Sequence, residues 1–305
     1  MNAPEITDEV LVTFADEVGP VGPVAAVGSR TRWSTGGPSA DGTRLVTAPH
    51  GIVAHSASEM TVQVRAGTTV TDLDAALAEQ GQRTALPDRG GTVGGAVAVG
   101  ENRLDVLGRG RLRDAVLQIR YVSAEGRLVT AGGPVVKNVT GFNLTKLMTG
   151  SLGTLGLFAE LILRTNPIPA AQRWSAASGV DPVAVFDALY RPASVLWDGT
   201  TTWVHLEGHG PDIDAESAVL AGLGDFVEVE GPPALPPHRW SLTPAEAAMA
   251  DGGATGAFVA SIGVGTVFAE KPPPPSPVPA TSVAVRVKQN FDPTGRLNPG
   301  RRPGG

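Results

Sequence analysis

The chain has 305 residues, 42% of them apolar and 18% charged, which is enough apolar side chain for a packed core and too little charge for a disordered polymer. Its 24 basic and 30 acidic residues leave a net charge of −6, so no basic field exists to hold a nucleic acid. Cysteine is absent, which removes disulfides, thiolate metal sites and thiol nucleophiles from this chain.

In chain order, Val10, Leu11, Phe14, Ala15 and Val18 recur at helical spacing behind Thr7, so a helix capped by Thr7 is expected over 8–18. The residues before and within it carry Glu5, Asp8, Glu9, Asp16 and Glu17, without the basic-then-apolar pattern of a signal peptide. No run approaches the roughly 18 apolar residues of a membrane span, and a cytoplasmic protein is expected. Residues 24–27 form a short apolar strand that runs into Gly28-Ser29-Arg30-Thr31-Arg32-Trp33, a turn-rich segment with two cations. Val62, Val64 and Ala66 alternate along a strand, and residues 71–80 form a helix stopped by Gly81. Residues 87–100 hold Gly90, Gly91, Gly94, Gly95 and Gly100, a density expected of a loop rather than a packed helix. Residues 116–123 and 128–131 flank the turn 124–127 as a hairpin, with Gly126 available for a positive φ. A short helix starts at Phe142 and closes at Gly150. Leu155, Leu157, Ala159, Leu161 and Leu163 then alternate along a strand that stops at Pro167 and Pro169, the expected domain boundary.

Beyond the boundary the signals read strand 174–177, helix 182–190, strand 194–197, strand 202–207, helix 213–221 and strand 226–229, the β-α-β-β-α-β order of a ferredoxin-like unit. Residues 231–280 are poor in signal. They hold Pro232, Pro233, Pro236 and Pro237, one strand candidate at 257–262, and a proline run over 271–279 that reads as an extended spacer. Val283, Val285 and Val287 alternate like a strand. His205, Glu207 and His209 have the spacing of metal ligands on one strand face, but Gly208 and Gly210 argue that the strand is ending, so a solvated strand end and no metal site are expected.

Glycine clusters at Gly28, at Gly90 to Gly95, and at Gly150, Gly153 and Gly156 allow backbone amides to approach a pyrophosphate closely. No strand-Gly-x-Gly-x-x-Gly-helix unit and no Gly-x-x-x-x-Gly-Lys-Ser/Thr loop is present, which argues against a nicotinamide Rossmann domain and an NTPase. Taken in order, 27–30, 60–68, 91–95, 112–117, 136–144 and 150–156 resemble the FAD-binding domain of the vanillyl-alcohol oxidase/PCMH flavoprotein superfamily, and within it the E-subunit family of bacterial glycolate oxidases. The segment Phe291-Asp292-Pro293-Thr294-Gly295-Arg296-Leu297-Asn298-Pro299-Gly300-Arg301 is similar to that family's terminal signature.

The resemblance implies an α+β fold: a two-subdomain PCMH-type FAD-binding domain over 1–168, a reduced ferredoxin-like α/β cap with a Pro-rich end over 169–280, and a return segment to the FAD domain over 281–305. It implies FAD bound noncovalently, since the first loop lacks His and the chain lacks Cys. Val27, Gly28, Ser29, Arg30, Thr31 and Arg32 would meet the pyrophosphate. Pro87, Gly91, Thr92, Val93, Gly94, Gly95 and Gly100 would run along the pyrophosphate and the flavin edge, and Gly153, Gly156 and Leu157 past the ribityl and adenosine parts. Arg113, Asp114, Lys137, Asn138 and Asn298 complete the implied site, the last brought back by the turn Asp292-Pro293-Thr294-Gly295. Two departures stand out. The first loop has one glycine where relatives have two or three, and Glu101 is expected to repel a pyrophosphate unless Arg103 pairs with it. The family's activity implies a 2-hydroxy-acid oxidoreductase that passes electrons from flavin to a partner or acceptor other than NAD. It implies a complex with a larger FAD-linked oxidase subunit and an iron–sulfur subunit, placed at the inner face of a membrane through those partners. The thinned cap would leave the substrate face open, and no catalytic base is identified. The alternative is a noncatalytic scaffold subunit that keeps the flavoprotein fold.

Overall fold

A computed structural model of the chain describes residues 8–87, 89–133, 143–274 and 282–302. Helix α1 (Glu9–Val18) is capped by Asp8, whose carboxylate accepts from the amides of Val10 and Leu11; the cap is one residue later than the spacing suggests. Strands β1 (Val24–Ala26), β2 (Arg44–Val46), β3 (Ile52–Ser56) and β4 (Thr61–Arg65) precede α2 (Val70–Ala78), which Thr69 caps by accepting from the Asp72 amide, and β5 (Gln82–Arg83). Then comes α3 (Val93–Val99), capped by Thr92 and ended by Gly100 in the left-handed region.

This helix overturns the expected loop over 93–99, while 89–92, with Gly90 and Gly91, stay irregular. Its glycines serve close packing: a Cβ on Gly94 would sit 2.8 Å from the Cβ of Ala66 and 3.0 Å from the Ala66 carbonyl oxygen, so α3 meets the end of β4 at a distance that glycine permits. The Gly94 amide donates to that same carbonyl at 2.8 Å.

The chain continues through α4 (Val106–Arg109), α5 (Leu112–Ala115), β6 (Val116–Val122), β7 (Leu128–Gly132), α6 (Leu144–Met148), β8 (Leu157–Arg164) and β9 (Asn166–Pro167). Gly126 turns the β6–β7 hairpin with φ 75°. Five strands form an antiparallel sheet in the order β3-β4-β8-β6-β7, with β8 central and buried along nearly its whole length. Leu73 and Leu77 of α2 and Ala96 and Val97 of α3 pack with Val62, Leu161 and Ile119 of the sheet, while Leu11, Phe14 and Val18 of α1 join a second cluster with Val122, Leu157 and Leu297. Across the middle strands, Glu160 is wholly buried and is held by Arg65, Arg120 and Gln63.

The remaining elements are β10 (Ala171–Ser178), α7 (Pro182–Ala188), β11 (Ser194–Trp197), β12 (Thr201–Gly208), α8 (Gly210–Leu223), β13 (Val227–Val229), β14 (His238–Ser241), α9 (Pro244–Ala248), α10 (Gly252–Thr255), β15 (Phe258–Ser261), β16 (Thr266–Ala269) and α11 (Ser282–Phe291). The chain divides into two compact units, one of Met1–Arg103, Arg111–Pro167 and Pro277–Gly305, the other of Leu104–Gly110 and Ile168–Ser276. The second unit therefore includes 104–110, which lies well before the double proline.

Its sheet runs β13-β10-β12-β11-β15-β16-β14, and the first four strands have the antiparallel order of a ferredoxin-like unit. The last three correct the expectation for 231–280. Prolines bracket β14 and follow β16 rather than replace them, and the sheet is extended instead of thinned. Residues 275–279 of the proline run lie outside the described residues. The valines at 283, 285 and 287 are helical, in α11; Val287 and Phe291, one turn apart, pack on the first unit's core, so the alternation is not a strand face. No helix among the described residues is long and apolar enough to cross a membrane.

Candidate functional site: an arginine-lined cavity

The first unit holds a cavity of about 420 Å³. One wall is the segment that leaves β1, from Val27 to Trp33; others are Ala66 and Gly67 at the end of β4, the start of α3, residues 152–153, the start of β8, and Asn298 with Arg301. Of the residues singled out in the sequence, Val27, Gly28, Ser29, Arg30, Thr31, Arg32, Thr92, Gly94, Gly95, Gly153, Leu157 and Asn298 line it. Gly28 faces α3 closely: a Cβ there would fall 2.6 Å from Thr92 Oγ1.

Pro87, Gly91, Val93, Gly100, Arg113, Asp114 and Gly156 are not in the lining. Val93 is in the core, and Gly91 lies behind Thr31 and Arg32. Gly100 ends α3, and Gly156 packs on Tyr121 and Met148. Arg113 is exposed, and Asp114 pairs with Lys146 at 2.5 Å. Lys137 and Asn138 lie outside the described residues. The lining also takes in Trp33, Thr35, Ala48, Gly67, Leu152 and Arg301, which sequence reasoning passed over. The sequence did hold a signal for Trp33, Gly67 and Arg301, because each lies within a quoted segment, 28–33, 60–68 and 291–301.

Three arginines, Arg30, Arg32 and Arg301, line the cavity, and among the described residues neither Asp nor Glu does. Glu101 is paired, though with other partners than Arg103: Arg32 Nε lies 3.1 Å from one oxygen and Arg89 Nη1 2.7 Å from the other, while Arg103 donates to the Leu86 carbonyl. Arg32 Nη1 also donates to the Gly90 carbonyl at 2.8 Å, which ties the glycine segment to the first loop. Arg32 Nη2 and Asn298 Oδ1 are buried polar atoms with no hydrogen-bond partner among the described residues. Arg30, Leu152 and Asn298 have φ of 58°, 54° and 43°, a left-handed backbone that non-glycine residues adopt at a cost. All three line the cavity. Arg30 thus takes, with strain, a backbone shape that a second loop glycine would take freely.

The return segment is tied down by charge. Asp292 accepts from Lys288 Nζ at 2.6 Å and from the amides of Leu297 and Arg296 at 2.7 and 3.0 Å. Burial alone would raise its pKa, but the Lys288 contact and these amides together hold the carboxyl below its usual range. Arg296 donates to the carbonyls of Gly22, Ala124, Val18 and Val21, and the Asn298 amide to that of Val24. Asn298 Nδ2 donates to the Leu152 carbonyl at 2.5 Å.

Residues 9–132 match the family described as FAD binding domain. That stretch is the chain's FAD-binding domain. The flavoprotein is 31% identical over 210 residues to glycolate oxidase subunit GlcE of Escherichia coli (strain K12), a match covering 66% of this chain and 60% of that subunit. It is 33% identical over 155 residues to D-lactate dehydrogenase of Anaerostipes hadrus, covering 48% of this chain and 32% of that enzyme. These matches span less than two thirds of each relative's length. A solved structure of alkyldihydroxyacetonephosphate synthase in crystal form P1 shares the fold with a TM-score of 0.64 at 14% identity, covering 95% of this chain and 73% of that one. The cofactor is FAD, and the lining suits it: a cationic wall without carboxylates among the described residues matches a diphosphate, and the partner-free polar atoms of Arg32 and Asn298 match a polar ligand.

In the flavoprotein's second unit, His205 is not at a solvated strand end. It is 4% exposed, its ring stacks on Trp174 at 4.4 Å, and Nε2 lies 3.8 Å from Glu207. Glu207 lies 3.6 Å from Arg109, which holds Asp105 at 2.7 Å. The 104–110 segment brings Arg109 and Asp105 into this cluster, an arrangement that nothing local to β12 announces. His209 precedes α8 as its cap residue.

Proposed function

We propose that this chain is the FAD-binding subunit of a 2-hydroxy-acid oxidoreductase of the glycolate oxidase kind, and that it turns over substrate only with partner subunits. The substrate class is supported by the names of the matched relatives, a glycolate oxidase subunit and a D-lactate dehydrogenase. FAD, when bound, supplies the acceptor for a hydride equivalent from the substrate's hydroxyl-bearing carbon. Residues 27–32, Thr92, Gly94, Gly95, Gly153, Leu157 and Asn298 hold it noncovalently, and neither His nor Cys lines the cavity to form a covalent link.

Partner dependence rests on one observation. Among the described residues that line the cavity the titratable side chains are arginines, and an arginine cannot accept the hydroxyl proton near neutral pH. Proton acceptance then falls to a group elsewhere, and a larger FAD-linked oxidase subunit, working with an iron–sulfur subunit that carries electrons onward, is the reading that fits. The test is affinity purification of the tagged chain from its native cell, with mass identification of what accompanies it and a dye-reduction assay using glycolate and D-lactate. The expected result is a flavin spectrum on the chain alone, turnover in the complex, and none from the chain alone. Full turnover by the isolated chain would remove the partner requirement, and a flavin-bearing complex inert to both acids would favour the scaffold reading.

A further inference from the structure

We propose that Arg301 is the counter-ion of the cofactor's diphosphate and so sets a preference for FAD over phosphate-free flavin. The inference rests on FAD as the occupant of the cavity. Arg301 is 9% exposed, and burial lowers its pKa. No carboxylate among the described residues stands within ion-pair distance of it. That sets it apart from the unit's other buried arginines. Arg65 has Asp8 and Glu160, Arg32 has Glu101, and Arg296 has four backbone carbonyls and the charge of Asp292 nearby. A buried guanidinium without an anion is a costly state that the bound ligand can relieve.

The local geometry says which anion. Arg301 uses one nitrogen for the protein, Nη1, which donates to the carbonyls of Trp33, Thr35 and Gly37. Those three acceptors fix the plane of the guanidinium and leave the rest of its fork for a ligand. Its Cζ lies 4.7 Å from the centre of the Trp33 ring, and the Cζ of Arg30 lies 5.4 Å from the same ring. Two cations on one indole repel each other until a negative charge joins them. Arg32, with its partner-free Nη2, belongs to the same lining. A ligand group with two negative charges and several acceptor oxygens answers all three, which describes a diphosphate and not a flavin ring.

The test uses the full chain freed of flavin, as wild type, Arg301→Met and Arg301→Lys, titrated with FAD, riboflavin and ADP by flavin fluorescence and calorimetry. Arg301→Met is expected to weaken FAD and ADP by about 10- to 100-fold while leaving riboflavin within about twofold, the loss appropriate to a charged hydrogen bond. Arg301→Lys should recover part of the FAD affinity, since it keeps the charge without the fork. Unchanged FAD and ADP affinity overturns the proposal. So does an equal loss for FAD and riboflavin, which would mean that Arg301 only shapes the loop from Trp33 to Gly37. A wild-type chain that binds ADP but not FAD keeps the anion site and loses the flavin assignment; one that binds neither loses both.

Discussion

Glu160 is the most constrained charge in the first unit. It is wholly buried in the central strand, with Arg65 Nη1 at 2.6 Å on one oxygen and Arg120 Nη1 and Gln63 Nε2, both at 2.8 Å, on the other. Arg65 reaches on to Asp8 at 2.5 Å, and that hydrogen bond chiefly holds the Asp8 carboxyl below its ordinary range. Removing the negative charge from such a cluster leaves two guanidinium groups short of compensation. Glu160→Gln is therefore expected to cost about 3 kcal/mol, read from the urea midpoint of the flavin-free chain. A loss below about 1 kcal/mol would show that Asp8 and water make up the difference. At this scale the sequence tells residue types and local motifs, and the partners stay hidden. Glu101 draws Arg32, 69 residues away, rather than the neighbouring Arg103, because the folded chain decides which cation arrives. For the same reason Gly91 and Gly156, which fit their motifs, face packing neighbours, while Arg301 faces the cavity.

Among the elements, α3 shows where composition misleads. Glycine density argues for a loop when each residue is weighed by its intrinsic cost in a helix, about 1 kcal/mol for each glycine. Contact with Ala66 reverses that weighting at Gly94. Gly94→Ala, which gains helix propensity, is expected to lose about 1–3 kcal/mol through overpacking and to weaken FAD, measured by thermal unfolding with and without the cofactor. A stabilised variant would mean that α3 shifts off β4 without penalty. Strands β4, β6 and β8 of the first unit were open to view because their apolar patterns are long, whereas β2, β3, β5 and β9, short or mostly exposed, carried no such signal. Strands β14 and β16 were hidden too: both are four residues long, and prolines stand close to each in sequence. In α11 three alternating valines imitate a strand, whereas the residues that pack on the core are Val287 and Phe291 at helical spacing.

For the molecule as a whole, the chain leaves its first unit at Pro167, builds the second, and returns to the first through α11. The return is secured by Asp292, whose carboxyl is held below its usual value. A depressed carboxylate adds stability above its unfolded pKa, about 3.9, and that contribution is lost as pH falls through the lower folded value. Wild-type stability should therefore drop as pH falls below roughly 4 in a step that Asp292→Asn lacks, since that variant has already lost about 3 kcal/mol at pH 7. Urea midpoints across that range decide it, and parallel pH curves for the two proteins would rule the anchor out. The two-part order, with a ferredoxin-like second unit, was legible from the run of strands and helices past Pro167. The membership of 104–110 in that second unit was not, because no break in composition marks it. The return has a consequence in time. About 140 residues separate Phe158 from Asn298 in the cavity wall, so a ribosome finishes the whole second unit before the cofactor site can close. Nascent chains halted in that interval would carry the loops of the flavin cradle without Asn298 and Arg301, and tight FAD retention would mark synthesis that has passed Arg301.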